Sequence, residues 1–261
     1  SMDTPHTGVM GYDVKYNEIP TAALTMEDAM MLGRIYEREQ KITLKLQMEA
    51  KTVGDRWSRN IISEIKGHKY PDEIVVVGAH IDSWDVGQGA HDDGGGCVAS
   101  WEVLRLIKTL GLKPKRTIRC VLWTNEENGL RGSNSYRDMH LDELDKHVIA
   151  IESDAGVFAP SGFGFSGNED ARRVIEDIHE LLKPIKANQI TDWGRAPDVA
   201  ILNDEGIPVM SLNVDLSKYF WYHHSAADTF DKVDFHDFNK CVAAMTIMAF
   251  VIADLDRPLP R

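Results

Sequence analysis

Four apolar, β-prone runs constrain this chain more than any other feature. Residues 74–77, 117–124, 147–153 and 208–214 are mostly continuous in Val, Ile, Leu and their like. Strands of that kind have to be covered on both faces, which is the habit of parallel sheets flanked by helices. Helical patterns fall between the runs. Val98, Trp101, Leu104, Ile107 and Leu110 recur at helical spacing, with Leu106 widening the stripe. Further helices are predicted over 129–140, over 168–183 with Asn168 as N-cap, and over 236–255. The fold class is therefore α/β: a mixed, mainly parallel sheet with helices on both faces, in three α/β/α layers.

The N-terminal part reads differently. Thr25 and Asp28 fit a capping box opening a helix over 25–39, with Ala29, Leu32, Ile35 and Tyr36 on one face. Ile42, Leu44, Leu46 and Met48 alternate with polar residues and predict a half-buried strand. A short strand over 61–65, turning through Gly67 and Pro71 into 74–77, predicts an antiparallel hairpin.

Charge narrows the partners. Against 29 Lys and Arg stand 41 Asp and Glu, a net −12, which repels nucleic-acid phosphate and anionic lipid and leaves room for bound cations. The apolar stretch over 242–253 is shorter than the roughly 20 residues a bilayer span needs and reads as a buried terminal helix. Cys97, Cys120 and Cys241 are too few and scattered for a disulfide scaffold or a thiolate zinc site, and read as buried apolar side chains. No Asn-x-Ser/Thr sequon occurs. Ser1-Met2 reads as a cloning scar with no signal peptide behind it.

The chemistry gathers just past the carboxyl ends of the predicted strands, where open α/β sheets place their sites. Residues 75–82 end in His80-Ile-Asp82. Residues 87–96 set glycines around His91, Asp92 and Asp93 at a helix start. Residues 123–127 end in Glu126-Glu127, residues 151–156 carry Asp154, and His223-His224-Ser225 precede Asp228-Thr229. Each fragment alone has an ordinary reading: a strand-end Asp as turn former, a Gly run as tight turn, an acid pair as solvated surface. Five together are different, because acids massed in one cleft repel unless cations compensate them. Nitrogen and oxygen donors without thiolate suit catalytic zinc. Two such metals about 3.5–4 Å apart share a bridging carboxylate and clamp a water. Adjacent acids such as Glu126 and Glu127 do not reach one metal equivalently, so one binds while the other takes the water's proton.

His80-x-Asp82, Gly89-Ala-His-Asp92-Asp93, Glu126-Glu127-x-Gly129, Glu152-Ser-Asp154 and His224-Ser225 together resemble the M28 family of zinc peptidases. The likeness covers most of residues 60–255. It implies two Zn2+ per chain: His80 and Asp154 on one, Glu127 and His224 on the other, with Asp92 bridging. It also implies Glu126 as general base, Asp82 accepting the free N–H of the His80 ring, and a short peptide losing one terminal residue. His223 either donates to the oxyanion or packs the loop. The resemblance further implies a homodimer and a secreted or lysosomal setting. Residues 3–52 are expected to be the tail of an inserted protease-associated-like domain, and 53–261 the catalytic domain.

Two departures from the family pattern bear on specificity. His91, before the bridging acid, reads as a solvent-facing histidine, with substrate donation or stray metal binding as the alternative. The segment 192–198 lines the substrate pocket by resemblance. Within it Asp198 is a pocket candidate, and Arg195 either pairs a substrate carboxylate or lies on the surface. Two other readings compete with the peptidase: glutaminyl cyclisation on the same fold with one zinc, and a catalytically silent binding fragment.

Overall fold

The computed structural model describes residues 3–261 apart from 14, 17, 18 and 52. The Ser1-Met2 reading lies outside them. Seven strands form one sheet: β1 (Ile61–Ile65), β2 (Tyr70–His80), β3 (Arg116–Trp123), β4 (His147–Glu152), β5 (Pro160–Ser166), β6 (Gln189–Thr191) and β7 (Val209–Val214). Their order is β1-β3-β2-β4-β7-β5-β6. Strands β3, β2, β4 and β7 run parallel, while β1 pairs antiparallel with β3, and β5 antiparallel with β7 and parallel with β6. The expected mixed, mainly parallel sheet is present.

Helices cover both faces because each inner strand is apolar on both sides. Val75 and Val77 of β2 point into one core with Ile118, Cys120, Ile149 and Ile151. That core is roofed by α2 (Gly95–Thr109), α4 (Glu169–His179) and α7 (Phe235–Asp254). Ile74 and Val76 point the other way with Val121, Trp123 and Ala150, under Tyr136 of α3 (Arg131–Met139) and Val199 and Leu202 of α5 (Pro197–Asn203). At 20 residues, α7 is long and apolar enough to cross a bilayer on composition. Instead Cys241, Met245, Met248 and Ile252 pack it into the first core.

Several local expectations are corrected. β1 is not the hairpin partner of β2, since β3 lies between them. The alternation over 42–48 makes no strand: Leu44, Leu46 and Met48 are exposed, and among the described residues none pairs with them. The helix at 25–39 is present as α1 (Met26–Glu37), with Thr25 accepting from the Asp28 amide, but it buries none of its residues. On α2 the buried stripe is Cys97, Ser100, Val103, Leu104 and Ile107, whereas Val98, Trp101 and Leu110 are exposed. A small residue wins the sheet-facing position because the helix sits close: the Ser100 hydroxyl donates to the Gly78 carbonyl at 3.1 Å.

Candidate metal centre

The loops leaving β2, β3, β4 and β7 converge at the carboxyl edge of the parallel strands, and each brings a donor. His80 is the last residue of β2. Its Nε2 lies 3.2 Å from Asp92 Oδ1 and 3.0 Å from Asp154 Oδ1. His224 follows the short helix α6 (Tyr219–Tyr222). Its Nε2 lies 3.2 Å from Asp92 Oδ2 and 3.0 Å from Glu127 Oε2. Asp92 thus turns one oxygen to each imidazole, and each imidazole meets a second carboxylate. His223 Nε2 is also near, 3.6 Å from Asp92 Oδ2. The donor atoms of His80, Asp92 and Asp154 lie within 4.8 Å of one another, as do those of Asp92, His223 and His224.

The backbone explains this convergence. Gly89 takes φ +62 in the turn before Asp92, a conformation open to glycine at no steric cost. Asp228 then fastens the turn by accepting from the amides of His91 at 2.8 Å and Asp92 at 3.0 Å. Asp93, fully buried, ties two elements: it accepts from the His80 amide at 3.2 Å and from the Gly96 amide at 3.2 Å in the first turn of α2. At Gly96 a Cβ would stand 2.2 Å from the Ser153 carbonyl and 2.3 Å from Asp93 Oδ1, so only glycine lets α2 approach the end of β4. After β3, Asn125 at φ +61 turns the chain so that Glu126 and Glu127 are offered together.

Asp82 does something other than expected. Its backbone carbonyl, not its carboxylate, accepts from His80 Nδ1 at 2.8 Å; the carboxylate lies 3.9 Å away. That carboxylate instead accepts from the Glu126 amide at 3.0 Å and the Glu127 amide at 3.3 Å. It fixes the turn that carries both acids.

His91 is likewise corrected. It is fully buried, not solvent-facing. Its ring stacks on Phe158 at 4.0 Å and lies parallel to Tyr222 at 5.7 Å. Nδ1 accepts from the Val157 amide and Nε2 lies 3.3 Å from the Lys232 carbonyl. The chain kinks at Asp92 (φ −125, ψ 80) as it leaves the helical turn that carries His91, so Asp92 faces the cleft while His91 enters the core. Arg195 is held at the end of α5 by Asn203 at 2.6 Å and Asp204 at 2.7 Å, as a surface arginine would be. Asp198 is fully buried at the first turn of α5, which Glu152 seats by accepting from the amides of Asp198 and Val199. Neither Asp198 carboxylate oxygen closes a hydrogen bond.

Electrostatics test whether a metal fits. For His80, burial opposes protonation, but bonds to Asp154 and Asp92 push its pKa far above the ordinary histidine value. For His224 the same contest, with Asp92 and Glu127, ends at about 10. Glu126 is pushed up to about 8, first by burial and then by Asp154, Asp198 and Glu127, against the opposing pull of His80. Burial raises Asp198 to about 7. His223 is held down at about 4 by burial, Asp92 opposing. Carboxylates this close ionise together only with positive charge between them. Glu127 Oε1 is buried without a hydrogen-bond partner, and Asp92 Oδ2 is buried with no well-formed hydrogen bond beyond its 3.2 Å approach to His224 Nε2. Those oxygens, and a donor set of imidazole and carboxylate without sulfur, fit divalent zinc.

The sequence profile of Peptidase family M28 matches residues 60–249. The chain belongs to that family. It is 44% identical over all 261 residues to carboxypeptidase Q of Mus musculus, covering 56% of that protein. The crystal structure of a peptidase M28 precursor from Shewanella amazonensis superposes with a TM-score of 0.94 at 36% identity, over 99% of this chain and 60% of that one. A zinc aminopeptidase from Bacillus subtilis shares the fold, with a TM-score of 0.62 at 23% identity over 74% of this chain and 49% of that one. The chain spans just over half the length of the carboxypeptidase Q sequence it matches.

Proposed function

We propose that the chain carries the catalytic centre of a zinc-dependent exopeptidase that cleaves a terminal peptide bond of dipeptides or short peptides. One observation carries the reading: Asp92 presents an oxygen to each of two histidines, His80 and His224, and each is faced by a further carboxylate, Asp154 and Glu127 respectively. In this reading His80 and Asp154 would hold one zinc ion and Glu127 and His224 a second, with Asp92 serving both. Bound there, they supply Lewis acidity that lowers the pKa of a water and polarises the scissile carbonyl.

The remaining steps belong to side chains. Glu126 takes a proton from the attacking water and returns it to the leaving amine. Positive charge beside it lowers its pKa from about 8 and keeps it a base at neutral pH. Asp82 holds the Glu126 and Glu127 amides and so fixes where both carboxylates point. His223, neutral at pH 7 with a pKa near 4, stands beside His224 and is available to donate to the developing oxyanion. Asp198, whose charge is felt by Glu126, is assigned to the substrate side of the cleft in the same proposal. The division into a 3–52 tail of an inserted domain and a 53–261 catalytic domain, homodimer assembly, and a secreted or lysosomal setting belong to the same proposal.

Glu126→Gln tests the mechanism. Turnover of a dipeptide should fall at least ~10²-fold, as for loss of a general base, while zinc content stays at the wild-type value. Undiminished turnover would reassign the base.

A further inference from the structure

The two histidines of the centre are held from behind in different ways. His80 gives its Nδ1 proton to the carbonyl of Asp82, two residues away and part of the same strand end. His224 has no such local acceptor. Its Nδ1 lies 3.0 Å from the carbonyl of Thr7, 217 residues away in sequence. The Thr7 amide returns the bond, donating to the His224 carbonyl at 2.8 Å. His6 adds a third tie, with its Nδ1 2.6 Å from the His223 carbonyl.

These ties fall where the backbone needs them. His224 has φ +57, a left-handed conformation that a non-glycine residue keeps only when its surroundings over-determine it. Its ring is flanked by His223 at 3.6 Å and by Trp84 at 5.7 Å. Stacking contacts of that kind limit tilt but do not choose which ring nitrogen carries the proton. A carbonyl on Nδ1 does choose: it keeps the proton there and leaves the Nε2 lone pair toward Asp92 and Glu127.

We propose that His6 and Thr7 form a clip that sets the orientation and tautomer of His224, so that metal affinity at the Asp92–Glu127–His224 site depends on a segment remote in sequence. This rests on the zinc reading above. The clip uses the Thr7 main chain, so its side chain is dispensable. Proline at position 7 removes the amide donor; alanine does not.

The experiment is zinc affinity of the full chain, measured by competition with a chromogenic chelator for wild type, Thr7→Pro and Thr7→Ala, with metal-free melting temperatures in parallel. Thr7→Pro keeps the carbonyl but loses the amide tie that seats it on the ring, so the His224 site should weaken by up to about 10-fold, the lower end of the scale for losing an outer partner. Thr7→Ala should match wild type, and the His80 site should be unchanged in both. A second measurement needs no variant. Binding is reciprocal, so zinc should slow hydrogen exchange of the Thr7 amide relative to the amides of α1. Zinc uptake with unchanged Thr7 exchange, or with equal affinity in a folded Thr7→Pro, would overturn the clip alone. A chain that takes up no zinc would overturn both readings.

Discussion

Replacing Asp82 by alanine separates two ideas about what that residue does. Its carboxylate accepts two amide bonds, from Glu126 at 3.0 Å and Glu127 at 3.3 Å. Hydrogen bonds to a charged group contribute about 1.5–3 kcal/mol each. The side chain is 25% exposed, so water would replace part of what is lost, and the longer bond is weak. About 2–3 kcal/mol for the pair is a fair expectation, appearing as misplacement of Glu126 and hence as about a 30- to 160-fold loss in kcat/KM. His80 keeps its partner, because the backbone carbonyl at residue 82 survives the substitution. Zinc affinity on the His80–Asp154 side should therefore stay within about threefold, well short of the 10–100-fold cost of removing an outer partner. The assay is dipeptide hydrolysis by zinc-loaded protein with bound zinc counted in the same samples. Loss of one zinc, with activity falling in proportion, would mean that the carboxylate holds the His80 ring after all.

Two other consequences concern protons and packing. Metal-free, the cluster binds protons that zinc must displace: His224 holds one up to about pH 10 and Glu126 up to about pH 8. Metal binding therefore releases protons, and apparent zinc affinity should rise with pH across the neutral range, with proton release visible in buffers of different ionisation enthalpy; affinity flat from pH 6 to 9 would contradict that coupling. His91→Ala empties a position stacked on Phe158 and beside Tyr222 and leaves the Val157 amide unpaired. It should cost about 3–4 kcal/mol in denaturant unfolding, with His91→Phe costing less, and near-wild-type stability would mean the ring is not packed as described.

Much of the centre was legible because the chemistry is written at strand ends. A β-branched run that closes on His80, and acids at the ends of two more runs, are one-dimensional facts that parallel topology turns into one cleft. What spacing does not carry is which atom of a residue acts. Asp82 was rightly placed beside His80, but a sequence does not say that the carbonyl faces the ring and the carboxylate faces the next strand's turn. His91 was misjudged for a related reason: its polar neighbours suggested exposure, and only the turn geometry at Gly89 sends it inward. Asp228, Asp93 and Glu152 were visible as acids near motifs, yet each acts on backbone amides across the fold. No local pattern predicts such a partner. The strand expected over 42–48 failed because alternation describes a half-buried strand but does not supply a neighbour to pair with. β5, β6 and α5 went unread: β5 alternates glycine with Phe163 and Phe165, β6 has three residues, and α5 opens on Pro197 with only seven.

The most direct test of the two-metal centre is zinc stoichiometry by elemental analysis on the wild-type chain and on His80→Ala, His224→Ala and Asp92→Ala. A shared bridge predicts about two zinc ions per wild-type chain, about one in each histidine variant, and close to none when Asp92 is removed. One zinc in the wild type, indifferent to the loss of either His80 or His224, would contradict the account and favour a single-metal enzyme on the same fold.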